Sequence, residues 1–92
     1  MMIRSAAFEL VRGEPSAYRF ETSDGRVKQA SFCSRCSTRL WNPARNPDLM
    51  VLEAGTLDDT SWFHPVAHIW TRRAQPWVQI PPGALRFPEQ PQ

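Results

Sequence analysis

The sequence has no long apolar run, a single lysine and only two cysteines among its 92 residues. A membrane-spanning helix needs about 20 consecutive apolar residues, and no segment approaches that length. Residues 1–4 lead into a short mixed segment rather than the apolar centre of a signal peptide. These absences argue against a membrane protein, and we expect a cytoplasmic one.

The charge balance is weak and evenly spread. The chain has eleven basic and nine acidic residues, for a formal charge of +2, and Lys28 is the only lysine. Arginines alternate with acidic residues along the chain, so the sequence forms no basic patch. A nucleic-acid partner is therefore not expected.

The two cysteines, Cys33 and Cys36, are spaced Cys-x2-Cys. In a reducing compartment this spacing favours a metal site or a redox pair over a structural disulfide. Two thiolates occupy two corners of a tetrahedral zinc site, with sulfurs about 2.3 Å from the metal. Two alternatives stay open: a metal-free turn with free thiols, and a thioredoxin-like redox pair.

Alternation of apolar and polar residues predicts a mainly β domain. Asp24-Gly25 favours a tight hairpin turn between two strands, and the nine prolines argue against long helices. Residues 4–11 fit a strand or a short helical turn, and residues 58–61 fit a single helical turn. Strands are predicted for residues 18–22, 27–32, 38–41, 49–53 and 65–70.

Several segments together resemble one known family, the glutathione-dependent formaldehyde-activating enzymes, which include the centromere protein V-like proteins. The central one, residues 32–40, is similar to that family's Phe-Cys-x-x-Cys-Gly-Thr-x-Leu motif, with Ser37 in place of the glycine. That position often needs a positive φ, which disfavours serine by about 1 kcal/mol relative to glycine. The other segments are Gly13-Glu14-Pro15 with Tyr18, Ala54-Gly55-Thr56-Leu57-Asp58-Asp59, Pro65-Val66-Ala67-His68-Ile69-Trp70 and Ala74-Gln75-Pro76-Trp77.

The resemblance implies a small β-tent or zinc-ribbon-like domain of antiparallel strands. In the family, a Cys-x-Cys pair and a cluster of three further cysteines precede the region seen here, and the chain has no cysteine before Cys33. We therefore expect a truncated domain over residues 1–80, lacking the N-terminal part, followed by a Pro-rich tail over residues 81–92. Cys33 and Cys36 would keep half of the structural zinc site, and the catalytic zinc ligands would lie outside this chain.

The resemblance also implies an activity and partners. Family members join a thiol to an aldehyde, forming S-hydroxymethylglutathione from glutathione and formaldehyde, a carbon–sulfur lyase reaction in reverse. Without the catalytic ligands we expect the isolated chain to be inactive. The alternative is a non-catalytic β domain, zinc-binding or metal-free, that acts as a homodimer or with a chain that supplies the missing cysteines.

The remaining candidates are weaker. His64 and His68 are four residues apart, but on a strand such residues lie about 13 Å apart, too far for one metal. His68 and Arg72 are the candidates for substrate binding, through an imidazole hydrogen bond and a guanidinium–carboxylate pair. Asp58-Asp59 is interpreted as a helix cap. The four tryptophans are predicted to lie in the core because of their size.

Overall fold

A computed structural model of the chain describes residues 1–91 and divides them into two compact units, Met1–Thr60 and the part that begins at Ser61. The described residues form seven strands and three 3-10 helices of three residues each. The prediction of a mainly β fold with little helix is confirmed. None of the helices in the described part is long and apolar enough to cross a membrane. The predicted domain boundary at residue 80 stays a prediction.

The first unit is built on a five-stranded antiparallel sheet. In chain order its strands are β1 (Met2–Arg4), β2 (Ser16–Glu21), β3 (Val27–Phe32), β4 (Arg39–Pro43) and β5 (Leu49–Leu52). Their order across the sheet is β1-β5-β4-β3-β2. The four strands predicted within residues 18–53 therefore all form, with ends shifted by a few residues, and a short edge strand is added at the N-terminus.

The β2–β3 hairpin follows from its turn residues. Gly25 has φ 84°, a left-handed conformation that glycine adopts without a steric penalty. The N–H of Thr22 donates to the Arg26 carbonyl at 2.7 Å. The two strands then pair without interruption from Glu21 opposite Val27 to Ser16 opposite Phe32.

Pairing between β3 and β4 changes register at the end of β3. Ser31 lies opposite Trp41, whereas the next residue, Phe32, lies opposite Arg39. Leu40 is therefore an extra residue on β4, as in a β-bulge. The irregularity lies immediately before the first cysteine.

The buried core of the first unit is small. Among the described residues, Ala30, Ser31 and Met50 alone are buried. Phe8 packs on Trp41 with ring centroids 4.9 Å apart. So few buried residues are in line with the thin core expected of a chain this short.

Helical turns differ from the sequence prediction. A 3-10 helix at Ser5–Ala7 follows β1, so the helical-turn alternative for residues 4–11 forms, and the strand reaches only Arg4. The turn predicted at residues 58–61 is wrong, and no helix follows Asp58-Asp59 for it to cap. The 3-10 helix forms instead at Ala54–Thr56, where the hydroxyl of Thr56 donates to the Glu53 carbonyl at 2.7 Å. The chain thus turns as soon as β5 ends.

The second unit has little regular structure. Strand β6 (Ala67–His68) pairs with β7 (Leu85–Arg86), and a 3-10 helix covers Thr71–Arg73. The strand predicted for residues 65–70 shortens to two residues, and its pairing is parallel rather than antiparallel. Strand β7 lies in the Pro-rich segment that was predicted to be a tail, so that segment carries part of the regular structure.

The prediction that the tryptophans lie in the core is wrong for two of them. Trp62 and Trp77 are 57% and 78% exposed, whereas Trp41 and Trp70 are half-buried. No described residue of the second unit is buried. Two strands of two residues each present too little apolar surface to cover an indole ring.

Candidate metal centre

The two cysteines lie in a tight turn between β3 and β4, which we call the knuckle (residues 33–38). The N–H of Cys33 donates to the Thr38 carbonyl at 2.8 Å, and the N–H of Ser37 donates to the Cys33 carbonyl at 2.9 Å. These two bonds close the turn at its base. The backbone thus continues the antiparallel pairing of the two strands, with the cysteines at its end.

Each sulfur has a polar contact within the knuckle. The N–H of Arg35 points at Cys33 Sγ, 3.4 Å away, and Cys36 Sγ lies 3.1 Å from Thr38 Oγ1. Both cysteines are free thiols, Cys33 half-buried and Cys36 exposed. Hydrogen bonds to sulfur stabilise the thiolate, which is the form that binds metal.

The pKa of Cys36 is lowered by its surroundings. The largest cause is the hydrogen bond with the Thr38 side chain, followed by a bond with the Thr38 backbone and one with the Cys33 thiol. A lowered pKa raises the thiolate fraction near neutral pH, and with it the tendency to bind a soft or borderline cation.

The conformation of Ser37 matches the expectation from the sequence. Its φ is 65°, in the left-handed region that disfavours a side chain with a Cβ by about 1 kcal/mol. The knuckle therefore keeps a glycine-type geometry with a serine in it, and that geometry stores a small strain at the base of the turn.

The knuckle brings together two cysteine side chains, which is half the ligand number of a structural zinc site. A structural zinc needs four ligands in tetrahedral geometry. Within residues 1–91, no group of three or more His, Cys, Asp or Glu side chains is placed to hold a metal ion.

One comparison decides the family. The sequence model of the glutathione-dependent formaldehyde-activating enzymes matches residues 1–73, most of the 92-residue chain. The chain belongs to this family. The resemblance seen in the sequence is thus confirmed. No curated protein and no solved structure matches the chain.

The family match covers the knuckle and both predicted substrate-binding residues, which lie in the second unit. His68 is half-buried in β6 opposite Arg86. Arg72 forms an ion pair with Glu89 at 3.2 Å. His64 lies in an irregular, exposed segment. The roles of Cys33 and Cys36 in metal binding, and of His68 and Arg72 in substrate binding, stay predictions.

An aromatic contact beside Arg72 was not predicted from the sequence. The guanidinium carbons of Arg72 and Arg73 lie 5.4 and 5.2 Å from the centroid of the Trp70 ring, within cation–π range. Trp70 has φ 58°, a left-handed conformation that is rare for an aromatic residue. The Trp-x-Arg-Arg pattern was the only available signal, and nothing in it predicts the unusual backbone.

Asn42 is a second residue that sequence reasoning missed, because it lies just beyond the strand predicted for residues 38–41. It lies in β4, its Oδ1 is buried without a hydrogen-bond partner, and its Nδ2 is 3.5 Å from a Glu53 carboxylate oxygen. Burying an unpaired carbonyl oxygen is unfavourable. Asn42 thus places an unpaired polar oxygen in the sheet, and it belongs to no metal-binding cluster among the described residues.

Proposed function

We propose that the chain contributes a zinc-binding knuckle to the chemistry of its family, the addition of a thiol such as glutathione to an aldehyde such as formaldehyde. In that reaction the sulfur forms a bond to the carbonyl carbon, the carbonyl oxygen takes up a proton, and the thiol loses one. The reverse direction is a carbon–sulfur lyase reaction. Family membership is the support for this choice of chemistry, and we propose the cytoplasm as its location.

The observation that carries the metal-binding role is the environment of the two sulfurs. Cys33 Sγ faces a backbone N–H, and Cys36 has a lowered pKa because of Thr38. The lowered pKa favours the thiolate of Cys36 at neutral pH. A zinc ion bound there would act as a cross-link that fixes the turn between β3 and β4.

The other two ligands would come from outside the chain described. A second copy could supply its own Cys33 and Cys36 across a two-fold axis, which gives a site of four thiolates. A separate chain carrying a cysteine pair would serve equally well. In both cases the chain alone holds zinc weakly, and we expect it to have no lyase activity by itself.

Within the second unit, we propose His68 and Arg72 as substrate contacts. A neutral imidazole can hydrogen-bond a substrate oxygen, and a guanidinium can pair with a glutathione carboxylate. Arg72 would have to exchange its pairing with Glu89 for the ligand. Since that pair is exposed on both sides, exchanging it is energetically inexpensive.

Zinc content is the test of this proposal. Purified protein would be analysed for zinc per chain together with its mass in solution, alongside Cys33→Ser, Cys36→Ser and the control Ser34→Ala. We expect half an equivalent per chain in a dimer, or a full equivalent with a partner chain, and loss of zinc in both cysteine variants only. Zinc that is retained by both variants, or a wild-type chain that binds none with either a second copy or a cysteine-bearing partner, would overturn the proposal.

The second candidate is a non-catalytic β domain that acts through association alone. The arrangement that favours it is the lack of a third metal ligand near the knuckle in the described residues. Catalytic assays separate the two functions. Formation of S-hydroxymethylglutathione upon adding a cysteine-bearing partner supports the enzyme, and its absence in a zinc-loaded complex supports the binding domain.

A further inference from the structure

Strand β2 is the open edge of the sheet in the first unit. It pairs with β3 on one side only and is last in the strand order. At six residues it is as long as β3 and twice as long as β1 at the opposite edge. Its pairing with β3 runs through all six residues without a register shift, so no bulge interrupts β2.

Charged side chains are the one usual protection of an edge strand that β2 carries. Natural sheets block their edges with charged side chains, lysine above all, or with prolines, bulges or very short strands. The sequence of β2, Ser-Ala-Tyr-Arg-Phe-Glu, contains no proline or lysine, and its charges are Arg19 and Glu21. Tyr18 is 60% exposed and stacks on Phe20, with ring centroids 5.8 Å apart. An aromatic pair thus lies along an edge whose two charges are of opposite sign.

The backbone groups that point outward can be identified from the hairpin. In an antiparallel pair, hydrogen-bonded positions alternate with non-bonded ones. Thr22 bonds to Arg26 of the returning strand, so Phe20 and Tyr18 also direct their N–H and C=O groups towards β3. Those of Ala17, Arg19 and Glu21 therefore point away from the sheet and are available to a new strand.

We propose that β2 pairs with β2 of a second copy, antiparallel about a two-fold axis at Phe20, to form one continuous ten-stranded sheet. This inference goes beyond the proposed function and does not depend on zinc. The axis places Arg19 of each copy opposite Glu21 of the other, in hydrogen-bonded positions. The two Phe20 side chains meet at the centre, in the closer, non-bonded type of pair.

Charge complementarity selects the second copy as the partner and also selects the register. Arg19 and Glu21 are both exposed, and neither forms an ion pair with another described residue. An axis at Arg19 would instead set the two Arg19 side chains against each other, which is unfavourable. An axis at Tyr18 would set Arg19 against Ala17. Only the axis at Phe20 forms two ion pairs.

The same axis extends the aromatic stacking. Tyr18 and Phe20 project from the face opposite to Arg19 and Glu21, because side chains alternate along a strand. Across the two-fold axis their rings would form a row of four. The exposed ring of Tyr18 would then lie diagonally opposite Phe20 of the second copy, within reach for an aromatic contact.

This dimer differs from a dimer bridged by zinc. Ser16 of β2 pairs with Phe32, next to Cys33, and lies four residues from the axis, about 13 Å along the strand. The two knuckles therefore lie on opposite sides of the axis, and their cysteines do not meet. Removing zinc dissociates a zinc-bridged dimer but leaves the edge-paired dimer intact.

Charge reversal tests the proposal on the full chain. Sedimentation equilibrium would be run over a range of concentrations for wild type, Arg19→Glu, Glu21→Arg and the double variant. Arg12→Glu and Glu14→Arg, exposed residues outside β2, are the matched controls. Each single reversal replaces two attractive pairs by two repulsive ones, so we expect dimerisation to weaken about tenfold or more.

Two further results are specific to this register. The double variant should dimerise like wild type, and an equimolar mixture of the two single variants should form a heterodimer, because every opposite pair is then attractive. Circular dichroism of each variant checks that it is folded. A wild-type chain that stays monomeric, or a dimer unaffected by both single reversals, overturns the proposal.

Chelation separates this inference from the proposed function. We expect the dimer to persist in EDTA and in Cys33→Ser. A dimer that dissociates in EDTA and is unaffected by charge reversal at residues 19 and 21 is bridged by zinc. In that case the edge-pairing proposal is wrong. A zinc-free protein with a charge-sensitive dimer would refute the zinc proposal and support this one.

Discussion

The two units of the chain have the same apolar content but bury it very differently. Apolar and aromatic residues make up 25 of the 60 residues in the first unit and 13 of the 32 in the second. The first unit forms a five-stranded sheet and contains every buried residue among those described. The second has two strands of two residues. Composition therefore does not decide burial here.

What separates the units is the order of their residues. In the first unit, apolar and polar residues alternate along β2, and a Gly turn reverses the chain so that strands pair directly. In the second, prolines interrupt the chain at positions 65, 76, 81, 82, 88 and 91. Proline removes a backbone donor and fixes φ, which limits strand length. Short strands cannot cover large side chains.

Hydrogen exchange gives the largest expected contrast between the units. Amides of β3, β4 and β5 should exchange only through opening of the sheet, whereas those of residues 61–91 should exchange through local opening. Because local openings require little free energy compared with global unfolding, we expect rates to differ by a factor of about 10³ or more. Exchange followed by mass spectrometry of peptides measures this. Equal protection of the two regions would show that the two units do not differ in local stability.

Truncation of one large side chain in each unit sharpens the contrast. Met50 is 7% exposed, between Ile3 and Pro43 in the sheet. Met50→Ala should lower the free energy of unfolding by about 2–4 kcal/mol, because it removes buried contacts and leaves a cavity. Trp77→Ala, at a 78% exposed position, should change it by about 0.5 kcal/mol or less. Urea denaturation measures both. A larger loss for Trp77 would mean that this ring is covered in solution.

The same contrast between the two units explains which elements could be predicted from the sequence. Strands β2, β3, β4 and β5 were predictable because alternation and the Asp24-Gly25 turn act locally. Strand β7 was not predictable, since its pairing with β6 joins residues 18 positions apart across a Pro-rich stretch. The exposure of Trp62 and Trp77 was missed because size predicts burial only where another layer covers the side chain.

Prediction of the candidate site was similarly divided. The Cys-x2-Cys spacing identified both cysteines, and the family pattern anticipated the positive φ of Ser37. The hydrogen bond from Thr38 that lowers the pKa of Cys36 depends on how the knuckle closes. The contact of Arg72 and Arg73 with Trp70 depends on a backbone conformation that the sequence does not specify.

Two non-glycine residues of the described part have positive φ, one in each unit, and they provide a third test. Ser37→Gly should stabilise the first unit by about 1 kcal/mol, because glycine adopts φ 65° without strain. Ser34→Gly, in the same knuckle but without positive φ, is the control and should be neutral or destabilising. Trp70→Gly relieves the same strain but also removes the ring beneath Arg72 and Arg73, so we expect a smaller gain or a loss. Thermal unfolding compares the three. A destabilised Ser37→Gly would show that the serine side chain has a structural role.

The smallest expected effect concerns the β2–β3 turn and acid. The Thr22 hydroxyl, and then the Arg26 side chain, lower the pKa of Asp24 from 3.8 to about 2. A carboxyl whose pKa is lower in the folded state stabilises the fold above its unfolded pKa. That contribution should be complete above pH 3.8 and disappear as the pH falls through about 2.

Comparison with Asp24→Asn isolates this group, because the amide keeps the size of the side chain but does not titrate. Stability of the variant should fall less steeply over the same pH range, and the carboxyl resonance of Asp24 should titrate near the lower value in wild type. Parallel pH profiles for the two proteins would show that the turn contributes nothing to acid stability. The arginines beside Asp24 are exposed, so salt should reduce the difference.

The register shift at Ser31 and Phe32 has a consequence for engineering. Beyond the shift, Phe32 lies opposite Arg39 and Cys33 bonds to Thr38. The pairing register at the turn therefore differs by one residue from the register of the strands before it. A change of one residue in the frame of a sheet normally moves every side chain to the opposite face. Because Leu40 absorbs that change, we expect that replacing residues 32–39 by another metal-binding turn leaves the faces of β3 and β4 unreversed.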